Sequence, residues 1–188
     1  MDKKVIAVVG PIASGKGALI KLLEEKGYTK ISLSDVVREK AKEWSLEFTR
    51  KNLQDVGDKL RKNFGPAFLA ELITHTIKKN PEKKYVIDSV RNPAELAYLK
   101  KQLQAFVIGI TASPEKRFEL MKKRGSAWDP KTWEDFVKSE ERDRGIGQAD
   151  FGQQVEKCLQ MADMVIDNNC SFEEFQTNLR YFLKNLLA

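Results

Sequence analysis

Gly10-Pro-Ile-Ala-Ser-Gly15-Lys16-Gly17 separates the apolar run Val5–Val9 from a helix-like segment at 18–26. In this order of strand, loop and helix, backbone N–H groups can converge on a phosphate at the helix N-terminus. The two outer glycines permit backbone angles closed to other residues, and Lys16 supplies a charge for the transferable phosphate. The stretch therefore predicts a nucleotide phosphate loop. Its predicted contacts are Gly10, Ala13, Ser14, Gly15, Lys16, Gly17 and Ala18.

One position of the loop lacks the hydroxyl group that usually contacts magnesium, because Gly17 stands where a Ser or Thr is expected. Asp88, in the apolar run 84–90, follows a predicted strand, where a carboxylate can hold Mg²⁺ directly or through water. Alternatively, Asp88 caps the helix that begins at Pro93. Asn92 is the better cap, since Pro93 then occupies the first turn. We therefore predict that Asp88 binds the metal.

Short apolar runs alternate with amphipathic segments along the 188 residues, which suit a single domain. This alternation predicts an α/β protein with a five-stranded, mostly parallel sheet between two layers of helices. The carboxyl ends of parallel strands share one edge, so the glycine loop, Asp35 and Asp88 should meet there. The strands are predicted at 4–9, 31–33, 84–90, 106–111 and 164–166.

Two segments do not follow the alternation. Segment 34–80 is almost wholly helical, with breaks predicted at Gly57 and Gly65-Pro66, and should form an acceptor-binding flap. The turn-rich stretch 125–130 joins helices predicted at 114–124 and 131–144, so we expect a lid region at 124–144. Trp128 and Trp133 in this region are interpreted as packing residues. The core of the single domain then comprises 1–33, 81–123 and 145–188.

Composition narrows the possible partners. No apolar stretch is long enough to span a bilayer, and residues 1–5 leave no room for a secretion signal, so we expect a cytoplasmic protein, monomer or homodimer. The net charge of +6 suits an anionic partner. The lysines are scattered along helices without interleaved aromatic residues, which disfavours nucleic acid and favours a small-molecule phosphate acceptor.

Several arginines are placed where they could reach phosphate. A guanidinium group can bind a phosphate through two parallel hydrogen bonds. Arg38 and Arg61 in the flap, with Arg91 at the rim, are the predicted contacts of an acceptor phosphate. Arg124, beside Gly125, is predicted to bring charge onto the transferred group when the lid closes. For Arg117 a surface ion pair with nearby acids is an equal alternative.

The loop resembles that of the nucleoside monophosphate kinases of the P-loop superfamily, in its adenylate kinase form. Ala18 replaces the Thr of that form. Further motifs are similar to a branch that borders dephospho-coenzyme A kinases and phage-type deoxynucleoside monophosphate kinases. These motifs are Ser32-Leu-Ser34-Asp35-Val-Val-Arg38, Thr49-Arg50-x-x-Leu53-Gln54, Asp88-Ser-Val-Arg91-Asn92-Pro-x-Glu95 and Ala162-Asp163-x-Val-Ile166-x-Asn168.

The resemblance implies a three-layer P-loop NTPase fold that uses ATP and Mg²⁺. It implies that Asp35 and Arg38 line the acceptor site and that Arg91 contacts phosphate. It also places Arg117 and Arg124 in the lid region and Asn168 near the nucleotide base.

These expectations lead to a magnesium-dependent kinase that moves the γ-phosphoryl group of ATP to a nucleoside or deoxynucleoside monophosphate. The predicted catalytic residues are Lys16, Asp88, Arg91 and Arg124. One alternative is dephospho-coenzyme A kinase-like transfer to a ribose hydroxyl, with Asp35 as general base. Another is an RNA-associated ATPase or nucleotide-dependent switch, which the missing loop hydroxyl keeps open.

Overall fold

The computed structural model describes residues 3–127 and 129–187, so Trp128, predicted to pack, lies outside the described residues. Within these ranges five parallel strands form one sheet. The strands are β1 (Val5–Val9), β2 (Tyr28–Ser32), β3 (Lys84–Asp88), β4 (Phe106–Thr111) and β5 (Met164–Asp167). Their order across the sheet is β2-β3-β1-β4-β5, which confirms the predicted α/β class.

Helices cover both faces of this sheet. They are α1 (Lys16–Glu25), α2 (Leu33–Glu43), α3 (Arg50–Phe64), α4 (Phe68–Lys78), α5 (Pro93–Leu103), α6 (Pro114–Arg124), α7 (Trp133–Arg144), α8 (Val155–Gln160) and α9 (Phe172–Leu186). In the described part of the chain, none of them is both long and apolar enough to cross a membrane.

The central strand β1 divides the core into two layers. Its five residues are all buried, and alternate side chains of a strand point to opposite faces. Val5, Ala7 and Val9 pack with apolar residues of α2–α5, whereas Ile6 and Val8 pack with those of α1 and α9. This two-sided burial explains why β1 is a continuous apolar run.

The predicted helical segment 34–80 contains α2, α3 and α4, and one of its predicted breaks is wrong. Gly65 ends α3 as predicted, with φ at 107°. Gly57 lies inside α3, because the buried residues Val56 and Leu60 on either side hold the helix against its neighbours. The chain instead leaves the helix between Trp44 and Thr49, whose side chain caps the N-terminus of α3.

The predicted cap of α5 is confirmed. The Asn92 side chain accepts a hydrogen bond from the Ala94 N–H, and Glu95 accepts in return from the Asn92 N–H, with Pro93 in the first turn. Asp88 is therefore free of this capping role.

Candidate functional site

The loop between β1 and α1 has the backbone geometry that the glycine spacing predicts. Gly10 and Gly15 have φ of 147° and 106°, and Ala13 between them has φ of 58°. A Cβ atom at Gly10 would overlap the carbonyl oxygen of Ile110 on β4. Only glycine fits at position 10, because both the backbone angle and the neighbouring strand exclude a side chain.

The loop delivers the N-terminus of α1 to the carboxyl edge of the sheet. Gly15 occupies the N-cap, no described side chain caps the helix, and its first turn contains no acidic residue. The first N–H groups of a helix have no partner within the helix and carry partial positive charge. This terminus can therefore bind an anion such as a phosphate.

Lys16 is held against this loop. Its Nζ atom donates hydrogen bonds to the carbonyl oxygens of Gly10 and Pro11, each 2.7 Å away. Burial and the positive charge of Arg91, against the opposing effect of Asp88, together lower the pKa of Lys16 to about 8. A phosphate beside Nζ would favour the charged form and raise this pKa again.

Two residues predicted to contact the nucleotide donate hydrogen bonds to backbone carbonyl oxygens of the loop. Asn168 Nδ2 donates to the Ser14 carbonyl oxygen at 2.9 Å. The Arg117 guanidinium is buried, pairs with Glu140, and donates to the carbonyl oxygen of the loop residue Ile12 at 3.4 Å. Asn168 faces the cavity described next, whereas Arg117 is not among the residues seen to line it.

A cavity of about 890 Å³ opens beside the loop and extends under α2 and α3. It brings together most of the predicted site residues, namely Ala13, Ser14, Gly15, Lys16, Gly17, Ala18, Arg38, Arg61, Asp88, Arg91, Arg124 and Asn168. Gly10 and Asp35 are not among the described lining residues. The Asp35 carboxylate is mostly exposed and pairs with Arg38 instead.

Positive charge dominates this cavity. The acidic residues among its described lining are Asp88 and Glu173. A concave site lined by one sign of charge focuses its field and concentrates ligands of opposite charge. The cavity is therefore suited to a polyanion. Its basic lining residues are Lys16, Lys30, Arg38, Arg50, Arg61, Arg91, Lys116, Lys123 and Arg124.

Asp88 lies at the carboxyl end of β3, where the chain turns sharply because Ser89 has φ of 64°. One carboxylate oxygen accepts the Ser89 N–H at 2.7 Å, and the other lies 4.0 Å from Lys30 Nζ. The structure shows no cluster of three metal-ligating side chains among its described residues. Mg²⁺ typically binds one or two carboxylates together with phosphate oxygens and water, and Asp88 fits that role.

Two of the arginines around the cavity are held by buried carboxylates from other elements. Arg91 pairs with Asp143 of α7, and Arg61 Nε donates to Glu95 Oε1 of α5 at 2.7 Å. Arg61 is 2% exposed and Glu95 is fully buried, so this pair also joins the flap to the core. Each guanidinium therefore has a fixed position before any ligand arrives.

Asp129 joins two further arginines. Its carboxylate accepts hydrogen bonds from Arg50 of α3 at 3.0 Å and from Arg124 of α6 at 2.9 and 2.7 Å. Burial and the charge of Arg91 lower the pKa of Arg50. Arg50 and Arg91 are therefore close like charges, an arrangement that a bound anion would stabilise.

Several lining residues were not among the predicted site residues. They are Lys30, Arg50, Gln54, Gln153 and Phe172. Arg50 could have been predicted from the sequence, because it follows the capping residue Thr49 and is the first residue of the flap helix α3. Gln153 precedes α8 in an irregular stretch and carries no local sequence pattern.

The parallel sheet, the glycine loop and the basic cavity define a P-loop kinase-like protein. A family model described as an AAA domain matches residues 9–137, more than half of the chain. A UPF0200 protein of Pyrococcus horikoshii is 31% identical, with 98% of each chain covered. The chain belongs to the UPF0200 family and carries this P-loop domain.

Solved structures show the same fold. A dephospho-CoA kinase from Campylobacter jejuni matches with a TM-score of 0.57 at 17% identity, covering 98% of this chain and 97% of that one. A shikimate kinase from Bacteroides thetaiotaomicron matches with a TM-score of 0.56 at 14% identity, covering 96% and 97%. At such identities the likeness concerns the fold and leaves the acceptor open.

Proposed function

We propose that the protein transfers the γ-phosphoryl group of ATP, with Mg²⁺, to the phosphate of a nucleoside or deoxynucleoside monophosphate. The observation that carries this proposal is the continuity of one basic cavity. It runs from the glycine loop and Lys16, past Asp88, to Arg38 and Arg50 under the flap. Two anionic substrates can therefore approach each other inside it.

On the donor side, the loop amides and Lys16 would hold the ATP phosphates, with Asn168 and Arg117 keeping the loop in place. Asp88 would bind Mg²⁺, which when bound would neutralise negative charge on the phosphates. Arg124 belongs to the proposed lid, 124–144, and would bring positive charge to the transferred group. Transfer then depends on alignment and charge stabilisation.

On the acceptor side, the proposed flap, 34–80, contributes Arg38 and Arg50, and the rim contributes Arg91. Arg61 lines the same region but is engaged by Glu95, so we assign it mainly to positioning the flap. An acceptor phosphate is already ionised and needs no general base. All these residues come from one chain, so the proposal holds for a monomer or a homodimer.

Transfer to a ribose hydroxyl, as the name of the Campylobacter jejuni kinase suggests, is less well supported. That reaction benefits from a base close to the hydroxyl. Asp35, the expected base, pairs with Arg38 and is not among the described lining residues. The RNA-associated alternative is also weaker, because many of the basic residues line one concave cavity and do not form an extended surface patch.

A panel of acceptors with γ-labelled ATP tests the proposal. We expect label in a nucleoside diphosphate for at least one ribo- or deoxyribonucleoside monophosphate, and no transfer by a folded Lys16→Ala variant. Label in coenzyme A without any labelled diphosphate would overturn the assignment in favour of the hydroxyl acceptor. Tight, salt-dependent RNA binding without transfer to any small acceptor would replace it with the RNA-associated function.

A further inference from the structure

Two buried glutamines face each other on the acceptor side of the cavity. Gln54 lies on α3 and Gln153 lies in the stretch before α8. Gln54 Nε2 donates to Gln153 Oε1 at 3.1 Å, and the two residues are only 6% and 5% exposed. Both line the cavity. The hydrogen bond fixes the two amide groups relative to each other.

This bond uses one polar atom of each amide. Within the described parts of the chain, the Gln54 oxygen and the Gln153 nitrogen have no hydrogen-bond partner, and neither is fully enclosed by protein. Exchanging O and N in both amides would swap these roles and still leave one donor and one acceptor. The pair therefore presents one donor and one acceptor to the cavity, which is complementary to a ligand edge that carries both.

Apolar side chains line the cavity together with the two glutamines. Leu33, Val37, Leu53 and Leu69 are among them. Gly57 follows Gln54 by three residues, on the same face of α3, and a Cβ atom there would lie 3.3 Å from Arg61 Nη1 and 3.7 Å from Val37 Cγ2. Glycine inside a helix destabilises it by about 1 kcal/mol relative to Ala. We therefore attribute Gly57 to the lack of room for a side chain at this position.

We infer that Gln54 and Gln153 bind the base of the acceptor, with the apolar residues packed against the ring faces. Every nucleobase carries an adjacent donor and acceptor on one edge, and the faces of its planar ring can pack against apolar side chains. This inference rests on the proposed function and narrows its acceptor to nucleotides recognised through the base. The phosphate then lies toward Arg50 and Arg91, which line the same cavity, and the charge of Arg91 acts on both Arg50 and Lys16.

A purely structural role for the pair makes a different prediction. If the amides only joined α3 to the core, their loss would weaken the binding of every acceptor by a similar factor. A base-binding role instead affects ligands that have a base and spares ligands that have only a sugar and a phosphate. The comparison of these two ligand types separates the roles.

Calorimetry with AMP, GMP, CMP, UMP, dTMP and ribose 5-phosphate provides that comparison. We expect at least one nucleotide to bind the wild type at least about 10-fold more tightly than ribose 5-phosphate. Gln54→Leu and Gln153→Leu should each weaken that nucleotide about 10- to 100-fold and leave ribose 5-phosphate unchanged. Gln154→Leu is the matched control, because Gln154 is also buried but is not among the described lining residues.

The inference is overturned if ribose 5-phosphate binds as tightly as every nucleotide, or if the leucine variants weaken all six ligands equally. Should a leucine variant fail to fold, Gln54→Asn keeps the amide on a side chain that is one methylene shorter. The same selective loss of nucleotide affinity is expected for this variant. Binding is measured without ATP. Base-selective binding without phosphoryl transfer would therefore contradict the proposed function alone, whereas transfer with no base selectivity would contradict this inference alone.

Discussion

The Nζ atom of Lys16 lies 2.7 Å from the carbonyl oxygen of Gly10, six residues earlier in the same loop. This contact and the equivalent one to Pro11 satisfy two of the three ammonium hydrogens with neutral acceptors. Neutral carbonyls compensate a buried charge less well than an anion does, and the pKa of Lys16 is accordingly lowered to about 8, chiefly by burial. Above about pH 8, where the unliganded lysine loses its proton, binding of a phosphate would restore that proton.

The first prediction concerns pH. Bound phosphate raises the pKa of Lys16, so ATP binding should take up a proton at pH values above about 8 and below the pKa of the complex. Affinity should be nearly constant below pH 8 and fall about tenfold per pH unit above it, within this window. Calorimetry in two buffers of different ionisation enthalpy measures the proton uptake.

Lys16→Arg provides the control, because a guanidinium stays charged throughout this range. Its affinity for ATP should show no such decline near pH 8, even if it is weaker overall. A wild-type affinity that is constant up to pH 9.5 would contradict the lowered pKa.

The second prediction concerns the first glycine of the loop. Gly10→Ala places a Cβ atom against the Ile110 carbonyl oxygen and forces a left-handed backbone on a residue with a side chain. We expect a loss of about 2–4 kcal/mol in the free energy of unfolding, from strain and displacement of the central strands. Chemical denaturation measures it.

Gly27→Ala separates the two causes, since Gly27 also has positive φ, 85°, but a Cβ there meets nothing within 4 Å. Its loss should be confined to the backbone strain of about 1–2 kcal/mol. Equal losses for both variants would show that the Ile110 carbonyl oxygen has no influence.

The third prediction concerns the missing loop hydroxyl. Gly17 is exposed, has nothing within 4 Å of a built Cβ atom, and lies in the first turn of α1. Gly17→Ser should therefore fold normally and supply an oxygen close to the site proposed for Mg²⁺. We expect the Mg²⁺ concentration for half-maximal transfer to fall about 2- to 10-fold, the value of one added polar contact.

Gly17→Ala shares the helix stabilisation of the serine variant but lacks the hydroxyl. Its Mg²⁺ requirement should match the wild type. A serine variant that behaves like the alanine variant would show that the metal is held away from position 17, with Asp88 as the remaining candidate.

Features that depend on residues close together in the chain could be predicted from the sequence, whereas features that depend on distant residues could not. Four of the strands, the glycine loop and the Asn92 cap depend on residues close together in the chain, and local patterns predicted them. The strand predicted at 31–33 instead spans Tyr28–Ser32, and Leu33 begins α2. Gly57 was wrongly predicted as a break, because helix packing outweighed the preference of a single residue.

The acceptor side was less accessible to prediction because its key pairs are distant in sequence. Arg50 and Asp129 are separated by 79 positions, and Gln54 and Gln153 by 99. No periodicity links such residues, so only the folded chain brings them together. Asp35 is a different case, because its partner Arg38 lies only three residues further along the same helix. Its position after a strand predicted a site near the rim, but this local ion pair engages its carboxylate.

The fourth prediction concerns Asp129, through which the flap residue Arg50 and the α6 residue Arg124 are joined. Asp129 is 5% exposed, so its charge is compensated almost entirely by these two guanidinium groups. Asp129→Asn keeps the shape but removes the charge, which leaves Arg50 partly buried beside the like charge of Arg91. We expect a loss of about 1–3 kcal/mol in the free energy of unfolding.

Catalysis should suffer more than the binding of ATP in this variant. Arg50 and Arg124 would lose their common anchor, and misplacement of charged groups that align the substrates lowers kcat/KM for the acceptor, here by about 10- to 100-fold. The affinity for ATP should change less than about threefold, because the loop and Lys16 are not touched by Asp129. Steady-state kinetics with both substrates varied, alongside the exposed control Asp135→Asn, measures this difference. If Asp129→Asn lowers ATP affinity and acceptor turnover equally, Asp129 supports the whole cavity and does not act specifically through Arg50 and Arg124.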